Sequence, residues 1–163
     1  MNRERLEEVF PNLNRDEYAF TSDEDENYNC IAWALNDTHH YWWHTPRYGC
    51  YWPPGVPREN SLPVIRQIFE IFGYRACEDR AYEVGFEKVA IFEHPEFGVE
   101  HVARQLQGGA WTSKIGEWEN IQHRTLAAVE CEDYGSPVLI MKRRRAQWQS
   151  GAHNGSLERV EKN

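Results

Sequence analysis

The clearest apolar pattern in the chain repeats at the spacing of an α-helix. Between Ser61 and Gly73 the apolar side chains fall at intervals of three and four residues, at Ile65, Ile68, Phe69 and Phe72. Ser61 is a favourable cap, and Pro63 suits the first turn of a helix. Gly73 is a common stop signal. The pattern predicts an amphipathic helix that buries one face.

Two shorter helices are predicted nearer the N-terminus. Residues Arg5 to Phe10 are amphipathic and are predicted to form a short turn or helix that Pro11 ends. A second helix is predicted from Cys30 to about His39 by the spacing of its apolar side chains, Ile31, Trp33, Ala34 and Leu35. The stretch from Tyr41 to Pro54 that follows is rich in aromatic residues and broken by prolines, so neither a helix nor a strand is expected there.

The second half of the chain changes to short apolar runs that are typical of strands. Four strands are predicted, at Lys88–Phe92, His101–Leu106, Ala110–Ile115 and Val138–Lys142. Gly108-Gly109 predicts a tight hairpin between the middle two. Helices first and strands later indicate an α+β fold with N-terminal helices packed on a C-terminal antiparallel sheet. A chain of 163 residues with 40% hydrophobic residues is expected to form one domain over residues 1–163.

Charge limits the classes of partner. The net charge of −8 argues against a nucleic-acid partner, which needs a basic surface to neutralise phosphates. One basic cluster, Lys142–Arg145, has the charge to contact a phosphate or a membrane surface, but such a run is more typical of a solvated strand end. No run of 18 apolar residues is present and the first residues lack an apolar signal region, so no membrane partner and a cytoplasmic location are expected.

Cys30 is the residue with the most chemical interest. It stands where a polar loop meets an apolar helix, and Asn27 and Asn29 precede it. A thiol in the first helical turn faces unpaired N–H groups, which favour the nucleophilic thiolate by lowering its pKa. The alternative is a plain core cysteine. The four cysteines are widely spaced, which favours reduced thiols over a disulfide framework.

His101 supplies the second chemical group. It opens a predicted strand in the run Glu100-His101-Val102-Ala103. With Asn29-Cys30 upstream, this order of parts resembles the papain-like cysteine hydrolases, in particular their small bacterial branch of CHAP and NlpC-type amidases and peptidases. The resemblance implies a papain-like fold, Cys30 as nucleophile and His101 as general base and acid, with the two within hydrogen-bond reach.

In that family a third polar residue on or after the next strand orients the imidazole. Three residues are open for this role: Asn120, which we favour because its amide carbonyl can accept the ring N–H, Glu117 and Ser113. The Cys30 backbone N–H and the side-chain amide of Asn27 or Asn29 are the candidates for binding the oxyanion.

Other segments resemble a widespread bacterial family of uncharacterised function. The resemblance rests on the motifs Asn-Cys-x-Ala at Asn29–Ala32 and Trp-x-Ser-Lys-x-Gly at Trp111–Gly116. It covers most of the chain and implies no activity.

Aromatic side chains near Cys30 are candidates for binding a substrate. Trp33, Trp43 and Trp52 offer large contact areas at little entropic cost, although the aromatic stretch is as well suited to fold back over the core. A rival reading is a zinc site made from Cys30, His39, His40, His44 and Cys50. Their spacing matches no common zinc motif, so no metal and no cofactor are expected.

The sequence therefore predicts a cysteine-dependent peptidase or amidase that cleaves an amide bond through Cys30 and His101. Its partner would be a peptide or another amide-containing substrate. The competing hypothesis is a non-catalytic module on the same fold that binds a protein partner through the aromatic stretch.

Overall fold

A seven-stranded antiparallel sheet forms the centre of the computed structural model, which describes residues 1–46 and 49–146. The helices are α1 (Arg3–Val9), α2 (Cys30–Ala34) and α3 (Leu62–Ile71). The strands are β1 (Tyr18–Phe20), β2 (Tyr41–Trp42), β3 (Cys50–Tyr51), β4 (Arg75–Cys77), β5 (Phe86–His94), β6 (Gly98–Gln105), β7 (Trp111–Lys114), β8 (Asn120–His123) and β9 (Ser136–Arg144). Two 3-10 turns, Leu13–Arg15 and Leu126–Val129, complete the elements.

The order of strands in the sheet is β1-β8-β7-β6-β5-β9-β4, and all of its pairings are antiparallel. This arrangement confirms the α+β class. The four strands predicted from apolar runs are β5, β6, β7 and β9, which lie next to one another in the sheet. Gly108 and Gly109, with φ of 98° and 108°, form the predicted hairpin between β6 and β7. The short strands β1, β4 and β8 were not predicted, because three or four residues are too few for an apolar pattern to stand out.

Alternation along the strands sends successive side chains to opposite faces of the sheet. On one face Val89, Ile91 and Val102 pack against the residues of α2 and α3. On the other face Ala90, Phe92 and Ala103 pack against α1 and the two 3-10 turns. The sheet therefore has helices on both sides, and each face has its own apolar cluster.

Helix α2 is shorter than its apolar spacing predicts. It ends at Ala34 rather than near His39, because Asn36 adopts a left-handed backbone with φ of 61°. The N–H of Asp37 then donates to the carbonyl of Ala32 at 2.8 Å, which closes the helix end. The Asp37 carboxylate also accepts the backbone N–H groups of residues 39 and 40, so the chain turns away.

The aromatic stretch folds back onto the core. Trp42 and Trp52 are 3% and 6% exposed and belong to the cluster that contains α3. Strand β2, which includes Trp42, and strand β3, which directly precedes Trp52, form a two-residue parallel pair, so the prediction of no strand in this stretch is wrong. Helix α3 agrees closely with its prediction and buries Val64, Ile65, Ile68 and Phe69. Among the residues described, no helix has both the length and the apolar composition to cross a membrane.

A buried lysine connects the sheet to the loop that leads into α2. Lys114 on β7 is fully buried, and its ammonium group donates to the carbonyls of Asp25 at 2.6 Å, Gly116 at 2.8 Å and Trp118 at 2.6 Å. It also lies 4.8 Å from the ring centre of Tyr28. Three carbonyls and a ring face satisfy a charge that is otherwise costly to bury.

Replacing Lys114 by Met should destabilise the fold, since it leaves three carbonyl groups without their donor. We expect a loss of about 3 kcal/mol in the free energy of unfolding, measured by urea titration. The matched control is Lys142→Met, because Lys142 is half-buried and pairs with Glu83 near the surface; about 1 kcal/mol or less is expected there. Equal losses in the two variants would contradict the anchoring role of Lys114.

Candidate active site

Three buried polar side chains form a hydrogen-bonded chain on one face of the sheet. The Nε2 atom of His101 lies 2.9 Å from the Oγ atom of Ser113, and this Oγ lies 2.8 Å from Nε2 of His123. The other ring nitrogen of His123, Nδ1, lies 2.7 Å from the carbonyl oxygen of Thr125. His101, Ser113 and His123 each have 0% exposure. The chain runs across β6, β7 and β8.

The carbonyl at the end of this chain determines where each proton lies. A carbonyl oxygen only accepts, so Nδ1 of His123 carries a hydrogen and its Nε2 accepts. Ser113 must then donate its hydroxyl hydrogen to His123 and accept from Nε2 of His101. His101 therefore carries its hydrogen on Nε2, and its Nδ1 keeps a free lone pair.

Burial keeps both imidazoles neutral, as this proton arrangement requires. Desolvation and the nearby His123 lower the pKa of His101 to about 3. Desolvation also lowers the pKa of His123, against smaller opposing effects of the Thr125 carbonyl and Asp16. Among the residues that the structure describes, Nδ1 of His101 has no hydrogen-bond partner although it is buried. A buried base without a donor is the most unusual feature of this site.

Cys30 reaches the same strand from the other side. The backbone N–H groups of Val102 and Ile31 lie close enough to its sulfur to favour the thiolate. The Val102 nitrogen belongs to the peptide group that follows His101, so the thiol lies beside the His101 backbone. The pairing of β6 with β7 covers only Arg104 and Gln105, so that ladder does not use the Val102 N–H.

The thiol does not have the low pKa expected of a residue at a helix start. Desolvation raises the pKa of Cys30 to about 11, because it outweighs the backbone N–H groups that favour the thiolate. Helix α2 has only five residues, so its dipole is small as well. In this structure Cys30 is a neutral thiol at pH 7.

The imidazole and the thiol belong to opposite faces of β6. The His101 ring lies against Phe92 and Tyr134, while Cys30 packs against the cluster that contains Val102. Since Nδ1 of His101 has no hydrogen-bond partner in the described part of the chain, the two groups do not form a hydrogen bond. The sulfur therefore lies near the backbone of His101, and the thiol does not contact the ring nitrogen Nδ1 through a hydrogen bond.

Tyr134 covers the imidazole. Its ring stacks on the His101 ring with centroids 4.2 Å apart and planes 4° apart. Burial, and then the charge of the Cys30 thiolate, raise the pKa of the Tyr134 hydroxyl. The turn that carries Tyr134 is tight: the N–H of Gly135 donates to the carbonyl of Cys131, and a Cβ on Gly135 would lie 2.1 Å from the carbonyl oxygen of Glu93.

Ser113, not the favoured Asn120, is the residue that contacts His101. Asn120 lies at the position of β8 paired with Lys114, so it points to the other face and donates to the hydroxyl of Tyr28 at 3.0 Å. Glu117 is exposed in the turn between β7 and β8. Of the three candidates for orienting His101, Ser113 is the one on the same face of the sheet as the imidazole.

His123 was not predicted as a site residue. The missing signal was β8 itself, whose residues Asn120–His123 are mostly polar. Pairing back from the turn at Gly116 places His123 opposite Trp111, on the same face as Ser113. Counting residues back from this turn would have placed His123 beside Ser113 from the sequence alone.

The two asparagines before Cys30 have structural contacts. Asn29 caps α2: its Oδ1 accepts from the N–H groups of Ala32 at 3.4 Å and Trp42 at 3.1 Å, and its Nδ2 donates to the Trp42 carbonyl at 2.6 Å. Asn27 is exposed, and its side chain donates to Asp25. Both amides are therefore engaged away from an oxyanion position, which leaves backbone N–H groups as the donors at Cys30.

The three tryptophans proposed for substrate binding occupy different environments. Trp33 is half-buried and donates from its indole nitrogen to Thr112 at 3.0 Å. Trp52 is a core residue whose indole donates to the carbonyl of Pro57 at 3.0 Å. Trp43 is half-buried, with its ring 4.8 Å from that of His44.

The zinc alternative receives no support from the geometry. Within residues 1–46 and 49–146, no three His, Cys, Asp or Glu side chains are grouped as metal ligands. His40 instead lies 2.9 Å from the carboxylate of Asp37.

Comparison with known proteins shows the family of the chain. Residues 19–142 match the family described as a domain of unknown function, DUF7689, and the chain belongs to that family. The match includes all of the residues in the His101 hydrogen-bonded chain and Cys30. No curated protein and no solved structure matches the sequence.

Protonation of the buried imidazole should make the fold sensitive to acid. The folded-state pKa of His101, about 3, is below the ordinary value of 6.5, so the unfolded chain binds the proton first as the pH falls. The stabilising contribution is therefore complete above pH 6.5 and is lost on acidification toward pH 3. Comparing unfolding free energies between pH 7 and 4, we expect His101→Gln to reduce the slope by up to about 1.4 kcal/mol per pH unit.

The control for this measurement is His39→Gln, because His39 is exposed. It should leave the pH slope of the wild type unchanged. A slope that His101→Gln does not alter would mean that the imidazole is not kept neutral by burial.

Proposed function

We propose that this protein is a cysteine-dependent hydrolase of amide bonds, with Cys30 as nucleophile and His101 as general base. The observation that carries the proposal is the free lone pair on Nδ1 of His101, which the chain through Ser113 and His123 fixes in place. A general base needs a deprotonated nitrogen with a defined orientation, and a thiol beside the same backbone supplies the proton.

The chemistry begins from neutral groups. As the Cys30 sulfur attacks the amide carbonyl, its proton passes to Nδ1 of His101. The imidazolium that forms is stabilised by donating from Nε2 to Ser113. His101 then returns the proton to the leaving amine as the C–N bond breaks, and water hydrolyses the thioester that remains. The backbone N–H groups now at the sulfur, those of Val102 and Ile31, together with the N–H of Cys30, are the available donors to the oxyanion.

This mechanism requires the site to open. Tyr134 lies on the imidazole, and both His101 and Ser113 have 0% exposure, so a substrate has no path to the imidazole in the observed conformation, although Cys30 itself is partly exposed. Displacement of the Tyr134 turn by a substrate would uncover the imidazole, and a rearrangement of β6 at His101 would also be needed to bring Nδ1 to the sulfur, which lies on the opposite face of the strand. The observed state is, in this proposal, the resting state.

We propose a papain-like arrangement of the fold and a cytoplasmic location as well. A cysteine at the start of a helix packed on an antiparallel sheet, and a histidine on the adjoining strand, support a papain-like arrangement. All four cysteines are unpaired, which is typical of reducing compartments and supports action in the cytoplasm on a peptide or another amide.

A second function has its own support. A pKa of about 11 for Cys30 and a fully buried imidazole are also what a non-catalytic module would have. In that case the aromatic stretch from Tyr41 to Trp52 would bind a protein partner, and its ring at Tyr51 is 37% exposed.

An activity screen against peptide, isopeptide and cell-wall amides separates the two functions. For any amide that the wild type cleaves, Cys30→Ser and His101→Ala should each lower kcat/KM by a factor of about 100 to 10,000. Ser113→Ala should lower it less, about tenfold, because an orienting group is only partly needed. The matched control is Cys77→Ser, which removes a half-buried thiol far along the sheet and should leave the rate within twofold.

Full activity in Cys30→Ser, with an unchanged melting temperature, would remove this site from the mechanism. Absence of cleavage across the screen, together with retention of a protein partner that Tyr51→Ala releases, would favour the binding module.

Access to the thiol provides a test that needs no substrate. If Tyr134 closes the site, Tyr134→Ala should raise the rate at which iodoacetamide alkylates Cys30 at pH 8 by about tenfold or more, measured by mass spectrometry. The control is Tyr82→Ala, which removes an aromatic side chain near Gly109, away from the site. An equal rate in the wild type and Tyr134→Ala, with both proteins folded, would show that this turn does not limit access.

A further inference from the structure

Two arginines pair with one buried carboxylate on the face of the sheet that carries α2 and α3, and a third, Arg104, lies on the same face, where its Nε donates to the Trp33 carbonyl at 3.2 Å. Glu87 on β5 is 7% exposed and pairs with Arg143 on β9 through a short ion pair. Arg145 lies 3.8 Å from the same carboxylate. Arg104 on β6 is opposite Val89, two residues along β5 from Glu87, and therefore points to the same face.

Two buried donors in this cluster have no partner in the described ranges. The hydroxyl of Tyr74, a residue with 3% exposure, makes no hydrogen bond, and neither does Nε of Arg145. The guanidinium of Arg143 lies 4.5 Å from the centre of the Tyr74 ring, so the hydroxyl belongs to the arginine cluster. Leaving buried donors unpaired is costly, and a ligand oxygen would satisfy them.

The charges in the cluster do not balance. Three guanidinium groups share this face with one carboxylate, which leaves an excess of two positive charges in a protein whose net charge is −8. Burial lowers the pKa of Arg104, Tyr74 and Glu87 act against this change, and Arg145 and Arg143 lower the pKa further. Two uncompensated positive charges beside unpaired donors match an anion of two negative charges with several acceptor oxygens.

We propose that Arg104, Arg143, Arg145 and the Tyr74 hydroxyl form a binding site for a phosphate group. Guanidinium groups bind phosphate oxygens in pairs, and a phosphate carries close to two negative charges at pH 7. The site is independent of the proposed hydrolase activity, since it uses none of the residues at Cys30 and His101. The source of the group is either free phosphate or a phosphate monoester.

Isothermal titration calorimetry of the full chain at constant ionic strength tests the proposal with two probes, inorganic phosphate and phenyl phosphate. The wild type should bind at least one of them with a dissociation constant in the millimolar range or below. Tyr74→Phe removes only the unpaired hydroxyl and should weaken binding about five- to tenfold without lowering the melting temperature. Arg145→Gln should weaken it by about tenfold or more.

The matched control is Arg144→Gln, which removes the same charge from the next residue of β9. Arg144 is exposed and lies over Phe86 on the opposite face, so binding should stay within twofold of the wild type. Tighter binding of phenyl phosphate would assign the site to a monoester, and equal or weaker binding would assign it to the free ion. No binding of either probe, or equal weakening by Arg144→Gln and Arg145→Gln, would overturn the proposal.

Discussion

The carbonyl oxygen of Thr125 is the group on which the candidate site depends. Because it can only accept, it determines the direction of every hydrogen bond from His123 through Ser113 to His101. Asp16 holds this carbonyl in place: its carboxylate accepts from the Thr125 N–H at 3.0 Å and from the Thr125 hydroxyl at 2.7 Å. A surface carboxylate thus fixes the tautomer of a histidine two strands away.

The second constraint is the alternation of side chains along β6. His101 and Val102 are neighbours, so one faces the α1 side and the other faces the α2 side. Cys30 therefore meets the strand at its backbone, and the thiol and imidazole are held on opposite faces of the strand as neutral groups. Burial produces this neutrality in both, since it raises the pKa of the thiol and lowers that of the ring. A site of this kind is stable at rest and requires a conformational change before any proton transfer.

Apolar spacing was sufficient to predict the central strands and α3, because burial of an apolar stripe dominates their energetics. It failed for the end of α2, where the left-handed backbone of Asn36 and the hydrogen bonds of Asp37 determine the outcome. It also failed for β8, whose buried residues are polar and include His123. The raised pKa of Cys30 could not be predicted from the sequence. The sequence indicates the start of the helix, but it does not show how strongly the sulfur is desolvated.

The most direct test of this account is the tautomeric state of the two buried histidines, read from the ¹⁵N chemical shifts of their ring nitrogens at pH 7. The hydrogen-bonded chain requires His123 to carry its hydrogen on Nδ1 and His101 to carry its hydrogen on Nε2, with Nδ1 of His101 showing the shift of an unprotonated nitrogen. That result would establish the free lone pair. A hydrogen on Nδ1 of His101, or a doubly protonated ring, would contradict the account and remove the base from the proposed mechanism.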